Sequence, residues 1–334
     1  MKKISVIDFL KNYGIILVLI LLMIMFTSIR PNFINIGNLM EILRQVSING
    51  IIAVGLTFCL LAGQIDLSVG ANAALGMTIC AMWMAAAPLK AEWFGGFNIN
   101  PIIGSILGIA CCVIVGFING FFVNNVKIPS LIVTLAMMEI IRGFIYVITG
   151  AYPIFEGFTD YFRFLGQGQL WGTLPVPVVI MAIVFVIGFI VLSKTVFGRF
   201  VYGVGGNSEV ARLSGINVVR VKYSVFVISG LLCGIAGIVL LSRMNSLQPR
   251  AGIGYEFAVI TACVLGGVSI SGGEGKILGV LFGTLIIGVL FNGLIQVGLS
   301  EFYQMIIKGS VLIGAVAIDT MSQARRSKFI IAKT

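Results

Sequence analysis

The chain has 334 residues, of which 59% are hydrophobic and only 10% are charged. A soluble chain averages roughly 25% charged residues, so a water-soluble domain is excluded. The net charge of +10 does not point to nucleic acid, because the basic residues fall at the ends of long apolar runs, where membrane orientation accounts for them.

Histidine is absent, and Cys59, Cys80, Cys111, Cys112, Cys233 and Cys263 all lie in apolar segments. That removes the commonest metal ligand and argues against a zinc site or a disulfide framework, so no metal is expected. Apolar runs long enough to cross a bilayer, about 17–25 residues, recur along the whole length. The 42 glycines suit close helix packing where lipid supplies no hydrophobic drive. The composition predicts one all-α polytopic membrane domain over 1–334.

Ten spans are expected, with approximate limits 13–29, 46–63, 67–87, 101–123, 129–149, 174–193, 223–242, 256–271, 277–298 and 302–319. With a cytoplasmic N-terminus, Lys2, Lys3, Lys11, Lys127, Lys194, Arg199, Arg212, Arg220, Lys222, Lys276, Arg325, Arg326, Lys328 and Lys333 fall inside. Arg30, Arg44, Lys90, Arg163, Arg243 and Arg250 fall outside, while Arg142 and Lys308 lie within spans. The bias obeys the positive-inside rule and places both termini in the cytoplasm.

Between spans two and three runs Gly63-Gln64-Ile-Asp66-Leu-Ser68-Val-Gly70. Asp66 is placed to cap span three, and a role in a permeation path is the weaker alternative. Glu139 and Arg142 stand three apart in span five, close enough to pair on one helix face. Each central charge costs roughly 2.5–3.5 kcal/mol and each large aliphatic residue returns about 0.3–0.6. The pair should therefore face protein, as a structural clasp or, alternatively, a proton relay. Lys308 is expected to snorkel outward.

One long polar passage, 194–222, interrupts the apolar pattern on the basic side. Asn207 can cap a short helix with Glu209 in its first turn and Arg212 near its end, and Gly215 fits a left-handed position just past it. The passage is either a solvated connection held inside by charge or a docking surface for a soluble partner. Loops above ~12–15 residues in compact proteins are usually functional or disordered, and this one carries recurring apolar residues. Span eight has an uninterrupted apolar run only from Phe257 to Leu265, too short to cross alone at 1.5 Å per residue. The parity of the basic tail keeps it as a short helix followed by irregular backbone. A faint inverted echo links Gly104, Gly108 and Asn119-Gly120 in span four with Gly279, Gly283 and Asn292-Gly293 in span nine.

Catalytic signals are lacking. Gly275-Lys276 is followed by Ile277, and Ile270 stands where a phosphate loop needs its first Gly. No ATPase site or other cofactor site is expected on this chain.

Several motifs taken together resemble the permease subunit of bacterial ABC importers for ribose and related monosaccharides. They are Gly63 to Gly70, Ile128-Pro129-Ser130-Leu-Ile-Val-Thr134, Phe197-Gly198-Arg199 with Tyr202-Gly-Val-Gly205-Gly206-Asn207, Arg212-Leu-Ser-Gly215-Ile-Asn-Val, Gln248-Pro249 with Gly252-Ile-Gly254-Tyr255-Glu256, and Leu265 to Gly273. The resemblance implies a ten-helix bundle of the vitamin B12-importer (type II) kind in the bacterial inner membrane. It also implies a second permease copy, cytoplasmic ATP-binding subunits that hold ATP and Mg, and an extracytoplasmic sugar-binding protein. The coupling segment of such permeases maps onto Gly198, Arg199, Gly205, Gly206, Asn207, Glu209, Arg212 and Gly215. Family members carry Gly where Gln64 stands here and Asp where Ala258 stands. A neutral sugar needs hydroxyl and amide partners rather than fixed charges, and Gln64, Ser68, Asn72, Asn119, Asn292 and Gln296 are available, with Asp66 added to the same path set as the weaker alternative to its capping role. The rivals are a proton- or ion-coupled secondary transporter, for which Glu139 is the candidate carboxylate, and a membrane-embedded enzyme.

Overall fold

The structure is a computed structural model that describes residues 6–85, 97–155 and 158–331, with side chains described from Gly14 to Met321. Lys2, Lys3, Lys90 and Lys333 lie outside the described residues. The helices are α1 (Val6–Ile29), α2 (Ile36–Leu61), α3 (Val69–Met84), α4 (Pro101–Asn124), α5 (Ser130–Thr149), α6 (Asp160–Gln167), α7 (Val176–Lys194), α8 (Val196–Gly206), α9 (Ser208–Leu213), α10 (Val218–Met244), α11 (Tyr255–Leu265), α12 (Ile277–Val297) and α13 (Glu301–Ile331). A two-residue hairpin, β1 (Gln169–Leu170) with β2 (Leu174–Pro175), follows α6.

Each of the ten expected spans coincides with a helix. Seven of these, α2, α4, α5, α7, α10, α12 and α13, are long and apolar enough to cross a membrane. The apolar parts of the other three, Gly14–Ile29, Val69–Met84 and Tyr255–Leu265, are shorter. Local chemistry sets the boundaries. The Asn35 side chain accepts from the Gly37 amide and Asn100 accepts from Ile102, while Pro101 opens α4, where its missing N–H costs nothing.

The middle of the bundle is α10 packed against α2, α3 and α4. Glycines let these backbones touch: a Cβ on Gly230 would collide with the Cys112 carbonyl, and one on Gly108 would lie 2.5 Å from the Gly76 carbonyl oxygen. The sequence echo has a structural counterpart. Gly104 and Gly108 seat α4 on α3, and Gly279 and Gly283 seat α12 on α11, so each long helix leans on the short helix before it. Lys308 does not reach outward: its Nζ lies 4.5 Å from the centre of the Phe291 ring, a cation–π contact with α12.

Both short helices follow irregular backbone. The 62–68 turn leads into α3, with the Ile65 amide donating to Ser130 Oγ at 3.1 Å and the Leu67 amide to Thr134 Oγ1 at 3.1 Å. The 245–254 segment starts at one rim, where Asn245 Oδ1 accepts from Arg163 of α6 and Leu247 pairs with Ile154 just past α5. It then descends to the level of the first turn of α3, where Gly252 meets Gly70 and the Ala251 carbonyl accepts from Arg142 of α5. α11 is therefore short because the chain has already covered part of the depth without being helical.

Gly230→Val adds volume where α10 and α4 touch through backbone, and overpacking of this kind costs about 1–3 kcal/mol. A thermal unfolding curve of the detergent-solubilised chain should show a clearly lowered midpoint. Gly143→Val, at a position with open space, should leave the midpoint unchanged.

Candidate functional site

The 194–222 passage folds into two short helices. Thr195 caps α8 by accepting from the Gly198 amide at 3.2 Å. Asn207 Oδ1 accepts from the Glu209 and Val210 amides, both at 3.0 Å, which starts α9 as the capping pattern predicts. Gly215 takes φ +83° just past α9, and the amides of Gly215 and Ile216 close the last turn onto Arg212 and Ala211. The sequence showed α9 but not α8, because Gly198, Gly203, Gly205 and Gly206 in eleven residues argue against a helix on propensity alone.

The coupling residues divide into two sets. Gly198 is buried against the Val191 and Leu192 carbonyls. A Cβ on Gly205 would run into the Leu61 carbonyl at the end of α2 and would lie 2.7 Å from the Gly273 amide nitrogen. Tyr202 Oη donates to the Gly275 carbonyl at 2.9 Å, and the Gly273 amide donates to Leu61 at 3.0 Å. α8 is thus clamped to the end of α2 and to the 266–276 loop between α11 and α12. Arg199, Gly206, Asn207, Glu209, Arg212 and Gly215 are exposed. Between them α9 presents Val210 and Leu213, 57% and 72% exposed. The Arg212 guanidinium, hydrogen-bonded to Glu209 at 2.6 Å, holds that carboxyl below the usual carboxylate range. The pair is open to water and screened by salt, so it contributes little to stability.

A second cluster is buried where α3, α4 and α10 meet. Asp66 does not cap α3: the cap position is Ser68, whose side chain makes no capping bond. Instead Asp66 Oδ1 accepts from the Ser68 amide and hydroxyl at 3.0 and 2.6 Å, and Oδ2 accepts from Ser229 of α10 at 2.8 Å. Asn119 Nδ2 donates to Ser68 Oγ at 3.0 Å, and Asn72 Nδ2 donates to the Cys112 carbonyl at 3.2 Å. Asp66, Ser68, Asn72 and Asn119 are each no more than 1% exposed. In this conformation they are buried and tie α3, α4 and α10 together. Gln64 bonds its own neighbour, the Gly63 carbonyl, at 2.8 Å. Asn292 is buried and Gln296 donates to Asn38 at 2.7 Å, both on α12 and apart from this cluster. Ser229 was missed because a lone serine in an apolar helix carries no pattern.

Glu139 and Arg142 do not pair. No ion pair joins them among the described residues. Arg142 is buried and its Nη1 donates to the Ala251 carbonyl at 2.6 Å, whereas Glu139 is exposed. Three-residue spacing allows contact, but the break before α11 offers the guanidinium a better acceptor. Among the described residues no group of three or more His, Cys, Asp or Glu could hold a metal.

Among the described residues, seven helices long and apolar enough to cross a membrane define a multi-pass membrane protein. The chain belongs to the family described as branched-chain amino acid transport system / permease component, which it matches over residues 38–316. It is similar to the ribose import permease protein of Bacillus subtilis, 42% identical over 324 residues, covering 97% of each chain. It is also similar to the L-arabinose transport system permease protein of Escherichia coli, 40% identical over 313 residues, covering 93% of this chain and 91% of that one. The L-arabinose ABC transporter permease protein of Azospirillum brasilense is 36% identical over 313 residues, covering 94% and 88%. These relatives bear out the motif resemblance to monosaccharide ABC permeases. No solved structure matches.

Replacing Asn207 with Ala removes the acceptor for two amides at the start of α9 and should destabilise that helix by about 0.5–2 kcal/mol. Hydrogen exchange should then quicken at residues 209 and 210 while the amides of α10 keep their protection.

Proposed function

We propose that the chain is the membrane-spanning subunit of an ATP-driven importer that passes a monosaccharide of the ribose or arabinose type into the cytoplasm. The proposal includes ten crossings in a type II arrangement with both termini inside, two permease copies, and an extracytoplasmic binding protein delivering the sugar. ATP and Mg sit on separate cytoplasmic subunits and not on this chain. The observation that carries the reading is α9. It is a capped, folded helix that displays Val210 and Leu213 to solvent, while the neighbouring α8 is fixed to α2 and the α11–α12 loop. Relatives named as ribose and arabinose permeases supply the substrate class.

In the proposed cycle, closure of the two ATP-binding subunits moves α9. The motion passes through α8 to Leu61 and Gly273, and so to α2, α11 and α12. The basic loops, the exposed docking helix and the clamped 266–276 loop then share the cytoplasmic end.

Val210→Glu together with Leu213→Glu should strip the apolar contact and weaken retention of the ATP-binding subunit by about 2 kcal/mol or more, the scale of an interface anchor. Pull-down from native membranes and ATP-driven uptake measure this, and full retention with both substitutions would remove the docking assignment. Uptake should also survive collapse of the proton gradient and stop on ATP depletion. The opposite outcome would favour a secondary transporter built around Glu139.

A further inference from the structure

The helices of the bundle are joined in two different ways. Where α3, α4 and α10 meet, buried side chains bond across the seams: Ser229 to Asp66, Asn119 to Ser68 and Asn72 to the Cys112 carbonyl. Separating these helices would strand buried polar groups, so they hold one arrangement. α11 is seated differently. Its buried residues include Ala258, Val259, Ala262 and Val264, all small or apolar. Thr261 bonds back to its own helix at the Phe257 carbonyl. Among the described residues, no nitrogen- or oxygen-bearing side chain of α11 bonds to another helix. The Cys263 thiol, a weak hydrogen-bonding group, lies 3.6 Å from Thr57 Oγ1 and 3.7 Å from the Ala53 carbonyl of α2. Against α12 the helix rests on Gly279 and Gly283, a face without side chains.

The stronger polar ties of α11 sit at its two ends. Glu256 Oε1 accepts from the Gly254 amide at 3.1 Å just before the helix. Beyond its other end, Tyr202 of α8 donates to the Gly275 carbonyl at 2.9 Å, and the Gly273 amide donates to Leu61. Gly254 and Gly267 flank the helix, each at φ +80° with open space where a Cβ would stand. Glycine is required there by backbone angle and not by packing. Residues at the ends of an element that absorb backbone rotation, and packed helices that slide a little on their neighbours, are the parts from which hinge and shear motions are built.

We infer that α11 is the element the coupling joint moves, as a rigid unit between hinges at Gly254 and Gly267, and that Tyr202 is the positioning residue that carries the stroke to it. α3, α4 and α10, stapled by their buried bonds, are the frame against which α11 moves. The inference rests on the importer reading and narrows its stroke to one helix.

The test uses the full transporter, with its ATP-binding subunits and binding protein, in proteoliposomes. Spin labels on Phe257→Cys of α11 and Phe121→Cys of α4 report the moving pair, and labels on Met244→Cys of α10 and Phe121→Cys report the frame; all three positions are exposed. Labelled chain is diluted with unlabelled chain, and the unmodified chain gives the background from the native cysteines. A non-hydrolysable ATP analogue should shift the moving pair by about 2 Å, the scale of a helix shift, and leave the frame pair unchanged. Tyr202→Phe keeps the ring and removes the bond. It should reduce that shift, and the sugar taken up per ATP hydrolysed, by about twofold or more, the scale of one lost hydrogen bond. The ATP-binding subunit should stay bound in that variant. A moving pair that does not respond to the analogue, or that responds fully with Tyr202→Phe, would overturn the inference. If labelled chains fail to assemble, unlabelled Tyr202→Phe and Gly254→Val decide: each should lower uptake per ATP hydrolysed, and an unchanged ratio in both would overturn it. Failure of the unmodified chain to take up either sugar would count against the importer reading alone, since the distance comparison still reports whether α11 moves.

Discussion

The constraint on which this structure depends is that a peptide group without a partner cannot sit in hydrocarbon. Two places in the chain abandon the helix at depth, and each is held by a specific donor or acceptor from α5. The 62–68 turn gives its amides to Ser130 and Thr134, and the 245–254 segment gives its Ala251 carbonyl to Arg142. α5 is thus less a span in its own right than a rack of side chains for its neighbours. Ser130, Thr134 and Arg142, three of the groups that make α5 polar, are the ones the two breaks require.

With the breaks secured, α3 and α11 begin at depth, and their first turns meet where Gly70 touches Gly252 and where Glu256 lies buried. Glu256 Oε1 accepts from the Gly254 amide at 3.1 Å and holds the start of α11. Asp66 plays a related part for α3, linking Ser68 to Ser229 of α10. The two short helices are therefore each anchored at their beginnings by a carboxylate, and each supports a long glycine-bearing helix behind it.

Much of this could be read from the residues, because hydropathy and capping act locally. The ten apolar segments, the Asn207 cap, the left-handed Gly215 and the short α11 all follow from neighbours in sequence. What could not be read depends on partners far along the chain. Arg142 has Glu139 three residues away yet bonds Ala251, and Asp66 looks like a cap yet joins Ser229 of α10. α8 was invisible for another reason: its glycines are unfavourable for a helix but are needed where Gly198 and Gly205 meet carbonyls of α7 and α2. The hairpin after α6 and α6 itself were hidden by the weak apolar signal of a rim segment.

The closest contacts between α8 and the bundle are made by main chain, Gly205 on Leu61 and Gly63 close to Gly205, while the Tyr202 hydroxyl adds one side-chain bond to the Gly275 carbonyl. A joint built largely of glycine backbone has few rotamers to relax, so a push on one side arrives on the other with little slack. Substitutions elsewhere in the bundle can therefore accumulate without loosening the seat of α8, so long as Gly205 and Gly63 keep their lack of a side chain.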